Sequence, residues 1–193
     1  WGTNSNATYT DIQQPNADSV REWFPDGTGG HLIKGSYWLE FDDSGARINP
    51  ATPPTNEIFN GEDGEKNLAR YRWNWRLRAV QGSPNDYSTL FARVDALNQT
   101  GAGLIPAITA NIDIEQWMCT RVVNELAANW DSFGNPGGKN TFHYRPPGGR
   151  WQLMSWDFDV GLGVFNDPVD SALFRVGDPT MQRIYNTPEL MRH

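Results

Sequence analysis

The segments TFHYR (141–145) and RWQLMSWD (150–157) flank Pro146, Pro147, Gly148 and Gly149. Two proline rings and two glycines in a row end any regular element. The apolar–polar alternation on either side has the two-residue period of strands, so the segment predicts a β-hairpin. This feature limits the fold more than any other, because it decides which residues meet across it. Asn140 heads the first strand, and the run Trp156-Asp157-Phe158-Asp159 ends the second. Pairing brings Asn140 close to Asp157, and the Gly-rich loop WDSFGNPGGKN (130–140) ties Asp131 to both.

Oxygen groups gathered this way suit Mg²⁺, which binds one or two protein carboxylates and completes its shell with water and phosphate oxygens. An Asp beside the ion but not bound to it is placed to take a proton from an attacking hydroxyl. Plainer roles stand beside these. Strand-end carboxylates cap amides or pair with Arg, and Asp131 and Asn140 can simply brace a Gly-rich loop. A two-carboxylate glycosidase needs an acid and a base set apart across a sugar, which the closely spaced Asp157 and Asp159 do not supply.

The remaining sequence points to one α+β domain, with helices and hairpins segregated rather than alternating. With 16 basic and 23 acidic residues, the net charge of −7 repels a polyanionic backbone and argues against nucleic acid as a partner. No apolar run is long enough to span a membrane. The nine Trp are expected to serve mainly as core, and the single Cys119, which has no disulfide partner, is expected to be buried. His31, His143 and His193 are too scattered for a metal site, and His143 reads as structural.

Residues 1–19 are expected to form a polar arm and 20–193 the domain. A short helix is expected over 18–24 with Asp18 or Ser19 as its cap, then one or two strands within HLIKGSYWLEFDD (31–43) and a long loop over 44–67. In ARYRWNWRLRAV (69–80), Tyr71, Trp73, Trp75, Leu77 and Ala79 alternate with Arg70, Arg72, Asn74, Arg76 and Arg78. That is the period of a strand with a guanidinium ladder on its outer face, more naturally a solvated face than a phosphate clamp. Helices are expected over 87–97, after Asp86, and from Asp113 to about Asn129, the latter with an inward stripe of Ile114, Trp117, Met118, Val122 and Leu126. The tail reads as helix fragments parted by Pro168, Pro179 and Pro188.

The stretch 124–163 (NELAANWDSFGNPGGKNTFHYRPPGGRWQLMSWDFDVGLG) resembles the CotH family, the spore coat protein H type of atypical protein kinase, in its bacterial branch. The resemblance rests on a helix ending Asn-x-Asp, a loop to an Asn opening a strand, and a strand ending Trp-Asp-x-Asp-x-x-x-Gly. With VREWFPDGTGGHLIKGSYWLEFDD and LARYRWNWRLRAVQGSPNDYSTLFARVDALN it extends over about 20–165. It implies a kinase-like C-terminal lobe that transfers phosphate from Mg-ATP to protein hydroxyls. The implied roles are catalytic for Asp131 and Asp157, metal-binding for Asn140, Asp157 and Asp159, and nucleotide-binding for Lys34, Arg72 and Asn140. The chain departs from ordinary kinases in spacing, since Asn140 follows Asp131 by nine positions rather than five, and it carries no G-x-G-x-x-G loop. The nucleotide-covering lobe is therefore expected to be largely absent, lying before residue 20. The expected partner is a protein substrate or a surface-assembly partner, outside the cell or at its surface. The competing expectation is a secreted structural or glycan-binding module on the same fold.

Overall fold

The structure, a computed structural model, describes residues 14–39, 43–47, 52–79, 83–158, 161, 170 and 175–192. The chain reverses at the Pro-Pro-Gly-Gly stretch as its composition dictates. The Gly149 amide donates to the Pro146 carbonyl at 2.9 Å, and Gly148 takes a left-handed φ of +66°, which glycine adopts without penalty. Strands β3 (Thr141–Arg145) and β4 (Gln152–Ser155) pair with Thr141 opposite Ser155 and His143 opposite Leu153. Strand β1 (His31–Gly35) joins the other side of β3, and β2 (Trp75–Ala79) joins β1, giving an antiparallel sheet of order β2-β1-β3-β4. With six α-helices around it among the described residues, the fold is α+β, as expected.

The sheet has two unequal faces. Ile33, Trp75, His143 and Leu153 point to the main core, covered by α3 (Ser88–Leu97), α4 (Leu104–Asn111), α5 (Ile114–Leu126) and α6 (Pro179–Tyr185). Leu32, Phe142 and Tyr144 point the other way, against Val20 of α1 (Ala17–Trp23). The α1 cap lies upstream of the expected Asp18 or Ser19. Asn16 accepts from the Asp18 and Ser19 amides at 2.8 and 3.1 Å, and the Ser19 hydroxyl accepts from the Asn16 amide at 2.7 Å, a reciprocal capping box.

The alternating run 70–79 is not one strand. Leu68–Asn74 forms α2, and β2 begins only at Trp75. The same residues also repeat at helical spacing, with Leu68, Tyr71 and Trp75 at i, i+3 and i+7, and tertiary contacts favour that period. Asn67 caps the helix by accepting the Arg70 amide at 3.1 Å. The Tyr71 hydroxyl donates to the Glu57 carbonyl at 2.7 Å and accepts from the Phe59 amide at 3.0 Å. Trp73, expected inside, is therefore exposed, whereas Arg70, expected outside, is buried between the rings of Trp38 and Phe59. Of the ladder, Arg76 and Arg78 remain as exposed side chains of one strand.

Helix α5 also differs from its expected stripe. Val122 and Leu126 are exposed, and the inward positions are Arg121 and Asn124 alongside Ile114, Trp117 and Met118. Cys119 is exposed rather than buried. Helix α5 lies along the outer edge of β4, where the Gln116 amide accepts from the Leu153 amide at 2.8 Å and donates to its carbonyl at 2.7 Å. One side chain thus stands in for a neighbouring strand and closes an edge that would otherwise invite pairing.

Trp75, Trp117 and Trp151 are fully buried and enclose Arg93 and His143, but Trp38, Trp130 and Trp156 are only half-buried and Trp23 and Trp73 are exposed, so fewer of the tryptophans are core than expected. The Arg93 guanidinium lies 4.6 Å from the Trp75 ring centre and 4.7 Å from that of Trp151, and burial pulls its pKa down to about 9. Arg93 only donates, so at 3.0 Å it fixes His143 Nδ1 as an acceptor and puts the proton of the neutral ring on Nε2. Burial, and then the Arg93 charge, hold the His143 pKa well below the usual 6.5. Below pH 6.5 the unfolded chain therefore binds a proton that the folded chain refuses, and stability rises with pH up to that point. The slope that His143 adds is at most about 1.4 kcal/mol per pH unit. Urea unfolding between pH 5 and 7 is expected to show a flatter profile for His143→Leu than for the native chain; equal slopes would contradict this account.

Candidate functional site

Two loops and a strand end converge at the head of the hairpin. Helix α5 stops at Leu126, Ala128 turns the chain with a φ of +51°, and the Asn129 amide bonds back to the Asn124 carbonyl at 2.8 Å. The loop then closes on itself, because the Asp131 carbonyl accepts from the Lys139 amide at 2.7 Å and from the Asn140 amide at 3.0 Å. A Cβ at Gly138 would run into the Ser132 backbone, so the closure needs glycine there. The Tyr37 hydroxyl donates to the Gly137 carbonyl and pins the far side of the loop to the segment after β1.

The closure sets Asp131 against Asn140. The Asn140 side-chain nitrogen donates to Asp131 Oδ2 at 2.7 Å and to Asp157 Oδ2 at 3.2 Å, so one amide joins the two carboxylates. Both its hydrogens are then used, and its oxygen is the atom left to ligate a cation. Lys139 Nζ donates to the same Asp131 Oδ2 at 3.0 Å. Asp131 Oδ1 is buried and has no hydrogen-bond partner among the described residues. A desolvated carboxylate oxygen without a donor is costly, and such atoms call for an explanation in function. The two acids differ in setting: Asp131 is buried, whereas Asp157 is exposed and leaves the end of β4 with a left-handed φ of +60°, uncommon outside glycine.

Two cations, Lys34 and Lys139, lie within electrostatic reach of Asp157. The register places Lys34 of β1 opposite Arg76 on one side and Phe142 on the other, with Nζ 5.5 Å from the Phe142 ring centre. Burial lowers the Lys34 pKa, as do the charges of Arg78, Arg76 and Lys139, while Asp157 pulls it back up. For Lys139, burial alone would lower the pKa, but the bond to Asp131 and the charges of Asp131, Tyr37 and Asp157 outweigh it and hold the pKa above its usual 10.5. Arg72, by contrast, sits on α2 with Ala69, Trp73 and Arg76 around a shallow hollow of about 420 Å³. The arginines whose charge reaches Lys34 are Arg76 and Arg78.

The structure thus brings together Asp131, Asn140, Asp157 and the cation Lys34; Asp159 lies outside the described residues. Among the described residues no three of His, Cys, Asp and Glu gather as a self-sufficient metal site. Mg²⁺ needs fewer protein ligands than that, and an exposed carboxylate beside an amide oxygen fits it. Sequence reasoning missed Lys139, whose only signal was its place next to Asn140. A larger hollow of about 630 Å³ lies elsewhere, lined by Trp38, Phe59, Arg70 and Asp178, and shares Gly134 and Asn135 with the Asp131 loop. That hollow carries Glu57, Arg70 and Asp178 of its own, but the pair of carboxylates joined by one amide lies at the hairpin head.

The family description "CotH kinase protein" matches residues 9–192, nearly the whole chain. The chain belongs to the CotH kinase family. A comparison with curated proteins finds no match. No helix among the described residues is long and apolar enough to cross a membrane.

Proposed function

We propose that the chain is the phosphotransfer unit of a CotH-type kinase, carrying the γ-phosphoryl group of Mg-ATP to the hydroxyl of a protein met outside the cell or at its surface. The observation that carries this reading is the Asn140 amide holding the Asp131 and Asp157 carboxylates together beside the cations Lys34 and Lys139. Asp157 and the Asn140 oxygen would hold the magnesium ion, with Asp159 as a third ligand. Bound there, the ion supplies neutralisation of charge on the phosphate oxygens. Lys34, Arg76 and Arg78 favour a polyanion over the outer face of the sheet. With Oδ2 held by Lys139 and Asn140, Oδ1 is the basic oxygen of Asp131. The acceptor oxygen forms a bond to the γ-phosphorus as the bond to the bridging oxygen breaks. ADP leaves with that electron pair, and the hydroxyl proton passes to Asp131. Oδ1 is closed off from solvent in this structure, so the reading requires the site to open for the acceptor.

Calorimetric titration with Mg-ATP tests the proposal. The native chain is expected to bind, and Asp157→Asn to bind at least about tenfold more weakly, the loss of one charge-assisted ligand of about 1.4 kcal/mol or more. No heat from the native chain, or equal affinity for the variant, sinks the reading.

A further inference from the structure

Helix α5 buries one guanidinium whose every donor is spoken for. Arg121 has no solvent exposure, and its Nε donates to the Tyr185 hydroxyl of α6 at 2.9 Å. Nη1 donates to the Ser132 hydroxyl at 3.1 Å and to the Phe133 carbonyl at 2.5 Å. Nη2 donates to the Asn135 side-chain oxygen at 3.0 Å and to Glu125, its ion-pair partner one turn along the helix. A guanidinium has five N–H groups in a rigid plane, and these five acceptors use them all. Three of the five lie on the loop, at the first, second and fourth positions after Asp131.

The same helix face reaches the other carboxylate. Asn124, one turn on, donates to the Ser155 hydroxyl at 2.8 Å, two residues before Asp157, and accepts from the Asn129 side chain at 2.9 Å, two residues before Asp131. Asn135 closes the lattice by donating to the Asn129 carbonyl at 3.1 Å. Gly134, with a φ of +94°, passes so close that a Cβ there would stand 3.4 Å from the Arg121 guanidinium carbon.

We infer that Arg121 is a positioning residue for Asp131, fixing through the Ser132–Asn135 turn the place at which the carboxylate meets the acceptor hydroxyl. This rests on the phosphotransfer reading above. Arg121 touches neither nucleotide nor acceptor, so its loss acts on the rate of the chemical step and leaves nucleotide binding intact. Arg121→Met is expected to lower kcat by about 10- to 100-fold, the scale of a small misplacement of a reacting group, with KM for Mg-ATP changed by less than about threefold. Hydrogen exchange of the amides of 131–140 is expected to quicken in the same variant. Tyr185→Phe, which takes away the Nε partner and leaves the loop-side acceptors in place, is expected to keep kcat within about threefold.

The loop-side pair Ser132→Ala with Asn135→Ala removes two of the acceptors while keeping Arg121, and serves if Arg121→Met does not fold. It is expected to reproduce the fall in kcat at constant KM. An unchanged kcat and unchanged loop exchange in a folded Arg121→Met, or in the loop-side pair, overturns the inference. Should the native chain transfer no phosphate at all, the phosphotransfer reading falls, and with it the catalytic half of the inference; the exchange rates then decide whether Arg121 orders the loop.

Discussion

Asp131→Asn is expected to cut the rate of phosphoryl transfer by about 10²- to 10⁴-fold, the range of a lost general base. Mg-ATP affinity should change by less than about threefold, because the nucleotide and its ion are assigned to other side chains. The geometry explains why so small a change matters. Oδ2 accepts from Lys139 and Asn140, so an asparagine in its place must turn its own oxygen toward those two donors. Its NH₂ then occupies the position of Oδ1, the oxygen assigned to the acceptor proton, and cannot take one. Lys139 loses the carboxylate that holds its pKa up. Single-turnover transfer from γ-labelled ATP, read beside calorimetric binding, checks both halves. Transfer within about threefold of native would remove Asp131 from the mechanism.

The head of the hairpin was legible in the sequence because its causes are local. Pro146 to Gly149 force the reversal, alternation sets the register, and the register alone carries Asn140 to Asp157. The loop length then leaves Asp131 little choice of neighbours. Lys139 and Arg121 were not legible for opposite reasons. Lys139 is a lone cation in a loop, and nothing in its spacing distinguishes it from a solvated side chain. Arg121 lies on a helix whose apolar residues imply a different inward face, and its five partners come from the loop, α6 and its own helix. A buried polar lattice leaves almost no trace in a hydrophobic period, since the residues that face inward are the ones the period counts as outward.

The run 70–79 shows the other way a periodicity misleads. Tyr71 and Trp75 satisfy both a two-residue and a helical repeat, and the sequence alone does not rank the two. The ranking comes from Asn67, Glu57 and Phe59, which supply a cap and two anchors from a loop without regular structure. Arg70 then finds two aromatic faces and a bond to Asn74, which a strand would have denied it.

Trp75→Ala puts that helix-to-strand junction to the test and is expected to be the most destabilising single change in the core. The indole is fully buried, its Nε1 donates to the Thr55 carbonyl at 3.0 Å, and its ring lies 5.0 Å from His143 and 5.6 Å from Phe133. It also forms one wall of the Arg93 cage at 4.6 Å. Truncation opens a cavity, strands the Thr55 carbonyl and bares one face of a buried cation. Large-to-small changes of this kind cost about 3–5 kcal/mol. In a chain of this size each kcal/mol moves the melting temperature by about 2–4 °C, so the midpoint should fall by about 6–20 °C. Trp73, two residues earlier and 50% exposed on α2, should cost less than about 1 kcal/mol on the same replacement. A single strand through 70–79 would put both rings on one buried face and make the two costs alike, so equal shifts in a thermal melt would overturn the junction and a wide gap is what the fold requires.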